Sequence, residues 1–319
     1  MAPTRVYCVI VTAFPPELTR WTAGIPLGEA IRFPQSAEPN AASIRLNRTL
    51  GILGVTSGMG PFRAAITLTA LGYDDRFDRS ADFVVAGISG VDPTYGSIAS
   101  VFLARYLVGL GGGYDLDGVG SIPEGRSSIN YGPPFPSERT AIARGNFHRI
   151  DELLLDLAYA HSSTVRLADT ARLRRARAYY TAEPAAQLPP SVRLGATSVT
   201  GETFWAGRQS TEWARNCSRY YSGGALQGII TQEEDLAYAS ALKALHAAGR
   251  VNASRLLVLR SASDYSYAPD GQTLEDWFFH SDEHMCMAES LENLYAAGSA
   301  IVFALLTTDQ LGSQHVKDR

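Results

Sequence analysis

The chain has 319 residues, 45% of them apolar, enough for a full α/β core in one large domain or two small ones. Its 28 basic and 32 acidic residues leave a formal charge of -4 with no long block of either sign, so it carries no electrostatic footprint for nucleic acid or for an anionic membrane. Three scattered cysteines, Cys8, Cys217 and Cys286, suit neither a disulfide framework nor a C-x-x-C metal site and fit a reducing, cytoplasmic setting.

The first element is VYCVIVTAF, Val6 to Phe14. It is short, β-branched and closed by Pro15-Pro16, which marks a strand rather than a secretory signal. Glu17 follows, where the dipole of a new helix alone would favour an acid. LGVTSGMG then runs into the helical pattern PFRAAITLTALGY, with Ser57, Gly58 and Gly60 in a tight turn where backbone amides can approach an anion or a ribose. FVVAGISG repeats the strand-to-turn pattern and places Gly87, Ser89 and Gly90 at its end. Such buried strands alternating with helical crossovers predict an α/β fold, a central mixed or mainly parallel sheet flanked by helices, with ligands at the carboxyl ends of strands.

The stretch Gly109 to Arg139 is rich in Gly, Pro and Ser and reads as a long loop or lid inserted in a single domain spanning 1–319. ARLRRARAYY, from Ala171, reads as a basic helix with a solvated face. TGETFWAG sets Phe204 and Trp205 between glycines, where aromatics stack on a planar base or pack in a core. TQEEDLAYASALKAL places Glu233, Glu234 and Asp235 before a helical pattern, as dipole-favoured acids or as a carboxylate that accepts two hydrogen bonds from a vicinal diol. LLVLRSASDY is an apolar strand that ends in Ser263 and Asp264, and YAPDGQTLEDWFFHSDEH after it reads as a second lid. His280 and His284, four apart, would share a helical face, but without a Glu directly after the first His they are read as late-helix or lid residues, not metal ligands. The apolar run from Ala296 to Leu306 falls short of the ~20 residues a spanning helix needs.

In this order and spacing, VIVTAFPPE, SGMG, AGISGVDP with SVFLARYLV, GETFW, QEED and LRSASDY resemble the nucleoside phosphorylase superfamily. The chain looks most like its purine nucleoside permease branch, with local similarity to the methylthioadenosine/S-adenosylhomocysteine nucleosidases. The resemblance implies a nucleoside-phosphorylase-like fold, a small-molecule substrate, no metal or organic cofactor, no nucleic-acid or membrane partner, and a homo-oligomer whose neighbours complete the pocket. It assigns Asp264 as the acid that protonates purine N7 as the glycosidic bond breaks, Ser263 as its orienting partner, Glu234 as the ribose-binding carboxylate and Phe204 as the aromatic against the base. Trp205, Ser57, Gly58, Gly87 and Ser89 are expected around the same substrate.

The departures bear on the reaction. Where the phosphorylases carry a phosphate-binding arginine after the first strand, this chain has Glu17, as the nucleosidases do, and there it activates water. Val85 and Ile88 replace the Arg and Ser that hexameric phosphorylases carry around that strand. Hydrolysis is therefore favoured over phosphorolysis, with Arg20, Arg48 and Arg63 as candidates for a phosphate ligand by another route. Glu233 stands where a methionine usually packs under the sugar, and Glu202 where an Asp is usual. An altered pocket keeps two other readings in play: a scaffold recruited to isomerise or cyclise a non-nucleoside, and a non-catalytic binding or transport accessory.

Overall fold

The first strand, Cys8–Thr12 (β1), is buried at every position and pairs in parallel on both sides, with Ile52–Thr56 (β4) and with Asp82–Val91 (β5). A strand covered on both faces reads as an unbroken apolar run, which is what CVIVT is. The computed structural model describes residues 3–38, 43–77, 81–110, 113–115, 128–130, 145–224 and 228–317. Among them the remaining strands are Glu29–Arg32 (β2), Ser43–Asn47 (β3), Val101–Gly109 (β6), Gly113–Asp115 (β7), Ser128–Asn130 (β8), Phe147–Arg149 (β9), Val192–Thr200 (β10), Ile229–Gln232 (β11) and Leu256–Tyr265 (β12).

The main sheet runs β11-β10-β6-β12-β5-β1-β4-β3-β2, with β9 added on β6. It is mixed: β12 runs parallel to β5 but antiparallel to β6, and β2, β3 and β4 form an antiparallel edge. The sheet also closes on itself. β11 pairs with β10 along one side and meets the end of β5 on the other, Thr231 opposite Gly90 and Ile230 opposite Val91. This closure gathers the carboxyl ends of β5, β11 and β12 at one place, where the site lies.

Helices Pro15–Gly24 (α1), Pro61–Gly72 (α2), Glu152–Ser162 (α3), Ala171–Ala178 (α4), Arg208–Tyr221 (α5), Asp235–Ala247 (α6), Leu274–His280 (α7) and Met287–Lys317 (α8) flank the sheet. α1 and α2 each open on a proline, tolerated there because the N–H groups of the first turn have no carbonyl partner within the helix, so the one proline lacks is not missed. In α4 the basic stripe faces outward, while Leu173 and Ala176 are buried and Arg177 pairs with Asp169 at 2.8 Å. The region expected as a loop or lid lies outside the described residues except for Gly109, Leu110, β7 and β8.

Two expectations change. Within α8, residues Met287–Thr308 are long and apolar enough to cross a membrane by length and composition, a longer window than the apolar run suggested. Here Leu294, Ala297, Ile301, Val302, Leu305 and Leu306 pack into the main core, while Ser290 and Asn293 bond the carbonyls of Ala262 and Ala99. The HSDEHMCM segment is also not one helical face, because α7 ends at His280 and His284 lies beyond it. No group of three His, Cys, Asp or Glu side chains placed to hold a metal occurs among the described residues.

Candidate active site

Asp264 and Ser263 reach the site through a register shift. Along β12 the pairing with β5 steps from Ala262 opposite Ser89 to Asp264 opposite Gly90, so Ser263 is the extra residue of a bulge. Strict alternation would send neighbouring side chains to opposite faces. The bulge instead lets both line one cleft of about 240 Å³. The single Ser263 hydroxyl hydrogen has two acceptors in reach, Asp264 Oδ1 at 2.8 Å and the Ser89 carbonyl at 3.2 Å. Burial pushes the Asp264 carboxyl up to about 6, against the lowering pull of the Ser263 hydroxyl and the nearby His284.

Glu17 enters from the first turn of α1. Its Oε2 accepts the Ala13 N–H at 2.6 Å and its Oε1 the Ile88 N–H at 2.7 Å, so it ties the end of β1 to the end of β5. Burial raises its pKa to about 7; Arg260 and the two amides pull the other way, and Glu234 adds to the rise. The dipole reading captured only the helix start.

Arg260, passed over in the sequence as part of an apolar strand, is the centre of the site's charge. Its side chain is 2% exposed, donates from Nη2 to Glu234 Oε2 at 3.0 Å and to Asp235 Oδ1 at 2.5 Å, and from Nη1 to the Ile88 carbonyl at 3.0 Å. Burial opposes its charge, but Asp235 and Glu234 outweigh that and hold the guanidinium protonated. Asp235 is fixed in turn by Ser198 Oγ at 2.6 Å. Gln232 organises the start of α6: its Oε1 accepts the N–H groups of Glu234 and Asp235, and its Nε2 donates to Ser198 and Thr200. Glu234 Oε1 also accepts the Gly60 N–H at 3.0 Å, which brings the SGMG turn to the site.

Phe14, Met59, Phe204, Met285 and Met287 give the cleft apolar walls. Phe204, 57% exposed, stands at its edge and meets Phe278 edge-on at 5.6 Å. The second expected lid is thus a wall of the fold, anchored by buried Trp277 and by the Cys286 N–H on the Ser263 carbonyl. Glu233 also lines the cleft, and burial, together with Glu234, raises its pKa.

Several expected contacts fall elsewhere. Trp205 does not line the cleft and packs against Val199, Ala214 and Ile229. Ser57 is buried against the Tyr238 hydroxyl at 2.6 Å, and neither it nor Gly58 lines the cleft; of the same turn, Met59 lines it and the Gly60 N–H bonds Glu234. Gly87 acts by having no side chain: a Cβ there would stand 2.5 Å from Arg260 Nη1 and 2.7 Å from Glu17 Oε1. Ser89 lines the cleft beside Asp264. Of the arginines considered for phosphate, Arg20 is paired with Glu292 and Arg48 with Glu29, and none of the three lines the cleft.

A family model described as purine nucleoside permease (NUP) matches residues 5–310. A purine nucleoside permease of Candida albicans is 27% identical over 300 residues, covering 92% of this chain and 73% of that protein. Among solved structures, the 5'-methylthioadenosine/S-adenosylhomocysteine nucleosidase of S. pneumoniae with a transition-state inhibitor superposes with a TM-score of 0.56 at 17% identity, over 94% of this chain and 99% of that one. That of Neisseria meningitidis, in complex with methylthio-immucillin-A, gives 0.52 at 16% identity, over 96% and 99%. These likenesses show the fold. The chain belongs to the purine nucleoside permease (NUP) family, on a nucleoside-phosphorylase-like fold.

Proposed function

We propose that the protein hydrolyses the N-glycosidic bond of a purine nucleoside. The observation that carries this is the pairing, in one cleft, of two buried carboxyl groups with raised pKa values, Asp264 and Glu17. Enzymes that need an acid and a base near neutral pH tune carboxyl groups in this way. In the proposed reaction the C1′–N9 bond breaks with its electron pair leaving on the base, and Asp264 delivers a proton to N7. Water adds to C1′ and gives its proton to Glu17. Glu234 keeps free lone pairs beyond its bonds to Gly60 and Arg260 and holds the ribose hydroxyls. Phe204 lies against the base.

Charge favours water over phosphate as the nucleophile. Arg260 is the single cation among the described residues lining the cleft, and it is already matched by Glu234 and Asp235. A phosphate would enter a field of surplus carboxylates.

The structural neighbours are named nucleosidases, and the curated relative is named a permease. Among the described residues one helix is long and apolar enough to cross a membrane, and its Leu294, Ala297, Ile301, Val302, Leu305 and Leu306 pack into the core of this fold, which supports a cytoplasmic enzyme over transport by the chain itself. The test is release of free base from adenosine, guanosine, inosine and methylthioadenosine by wild type and by Asp264→Asn. Release that depends on Asp264 is expected; binding of a nucleoside without cleavage would favour the accessory reading.

A further inference from the structure

One acid that lines the cleft has no part in the reaction proposed above. Glu233 is half-buried there, the single residue between the end of β11 at Gln232 and the N-cap of α6 at Glu234. Its carboxylate accepts the Phe204 N–H and makes no ion pair among the described residues. Arg260 is the cation within its electrostatic reach, and that charge is already met by Glu234 at 3.0 Å and Asp235 at 2.5 Å.

The helix dipole gives no sufficient reason for a third acid at this point. Gln232 Oε1 takes the N–H groups of Glu234 and Asp235, and Asp235 stands in the first turn. Stabilisation by the dipole would lower the pKa of an acid at that end, whereas burial and Glu234 raise that of Glu233. The cleft thus keeps a negative charge that no protein cation matches, a cost that positive charge on a ligand would offset.

Two contacts say where that positive charge arises. On the glycosidase reading Glu234 holds the sugar hydroxyls and Phe204 lies against the base; Glu233 is the chain neighbour of the first and bonds the backbone of the second. The bond that breaks joins sugar to base. As its electron pair leaves on the base, the sugar takes on the character of an oxocarbenium ion, with positive charge shared by C1′ and the ring oxygen. Resting on that reading, we propose that Glu233 stabilises the sugar cation of the transition state by its unmatched charge, where a methionine could only pack. It forms no bond to C1′, which is left to the water that Glu17 activates. The effect falls on turnover rather than on affinity, because the sugar of the bound substrate is still neutral.

The test compares wild type with Glu233→Gln and Glu233→Met, with near-UV circular dichroism to check folding. Two probes are titrated by calorimetry: a deazaadenine joined through one methylene to a hydroxypyrrolidine, whose protonated ring nitrogen mimics the sugar cation, and its neutral hydroxycyclopentane counterpart. Wild type is expected to bind the cationic probe about tenfold or more tighter than the neutral one, and Glu233→Gln, which keeps an acceptor for the Phe204 N–H, to lose about tenfold of that preference. On a nucleoside that wild type cleaves, kcat of both variants should fall about tenfold or more with KM within about threefold. No preference in wild type overturns the proposal, as does a folded variant that keeps the preference or full kcat. Equal weakening of both probes also overturns it, and would mark Glu233 as a support for Phe204. Wild type that cleaves no nucleoside overturns it together with the glycosidase reading, whereas cleavage without the preference overturns it alone.

Discussion

Arg260 Nη2 lies 2.5 Å from Asp235 Oδ1, and both side chains are shut off from solvent. The two residues come from β12 and from the start of α6, so the pair locks the acid-bearing strand to the helix that presents Glu234. Removing one partner of a buried pair leaves the other charge uncompensated and typically costs about 3–5 kcal/mol. Asp235→Ala should therefore lower stability by about that much in urea unfolding, with Asp235→Asn milder because the amide can still meet Ser198 and Arg260.

Gly87 sits where a methyl group would collide with both Arg260 and Glu17. Each of these side chains is held by several hydrogen bonds, so neither can yield freely. Gly87→Ala is expected to cost about 1–3 kcal/mol as an overpacking change. It should also lower kcat more than tenfold by displacing the water-activating carboxylate. A variant with unchanged kinetics would show that Glu17 is not held for catalysis.

The two carboxyl groups have their pKa values in reversed order for the proposed roles. Hydrolysis needs Glu17 ionised, with a pKa of about 7, and Asp264 protonated, with a pKa of about 6. The competent combination is then greatest at about pH 6.5, on the order of one molecule in twenty. The kcat/KM profile should be a narrow bell centred there, falling below about pH 6 as Glu17 is protonated and above about pH 7 as Asp264 ionises. The residual activity of Asp264→Asn should lose the alkaline fall and level off above about pH 7.

Asp264→Asn should cut turnover by about 10²–10⁴-fold while keeping the Ser263 hydrogen bond, since the amide oxygen can still accept it. Its stability should respond to pH with a definite sign. The folded pKa of Asp264 lies above its ordinary value, so its favourable contribution is full below about pH 4 and is lost as pH rises to about 6 and beyond. Relative to wild type the variant should gain up to about 3 kcal/mol at pH 8 and nothing at pH 4, read from paired denaturant melts.

The strand ends were legible because parallel buried strands announce themselves as apolar runs closed by glycine or a polar residue, as in CVIVT and FVVAGISG. Asp264, Glu17 and Glu234 stood out as acids at such ends, and the structure brings all three to one cleft. Arg260 did not stand out, because its role depends on Asp235, 25 residues earlier, and no spacing encodes that pairing. Local pattern did not separate Phe204 from Trp205, since in an irregular loop no period says which ring faces the cleft; only the family resemblance singled out Phe204. The bulge at Ser263 and the meeting of β11 with β5 are products of tertiary closure, invisible to local pattern.

The most direct test of the central claim is the identity of the sugar product when inosine or adenosine is turned over with and without inorganic phosphate, followed by ³¹P NMR. The account predicts free ribose in both cases and a rate indifferent to phosphate. Base release only when phosphate is present, with ribose 1-phosphate as the product, would contradict it.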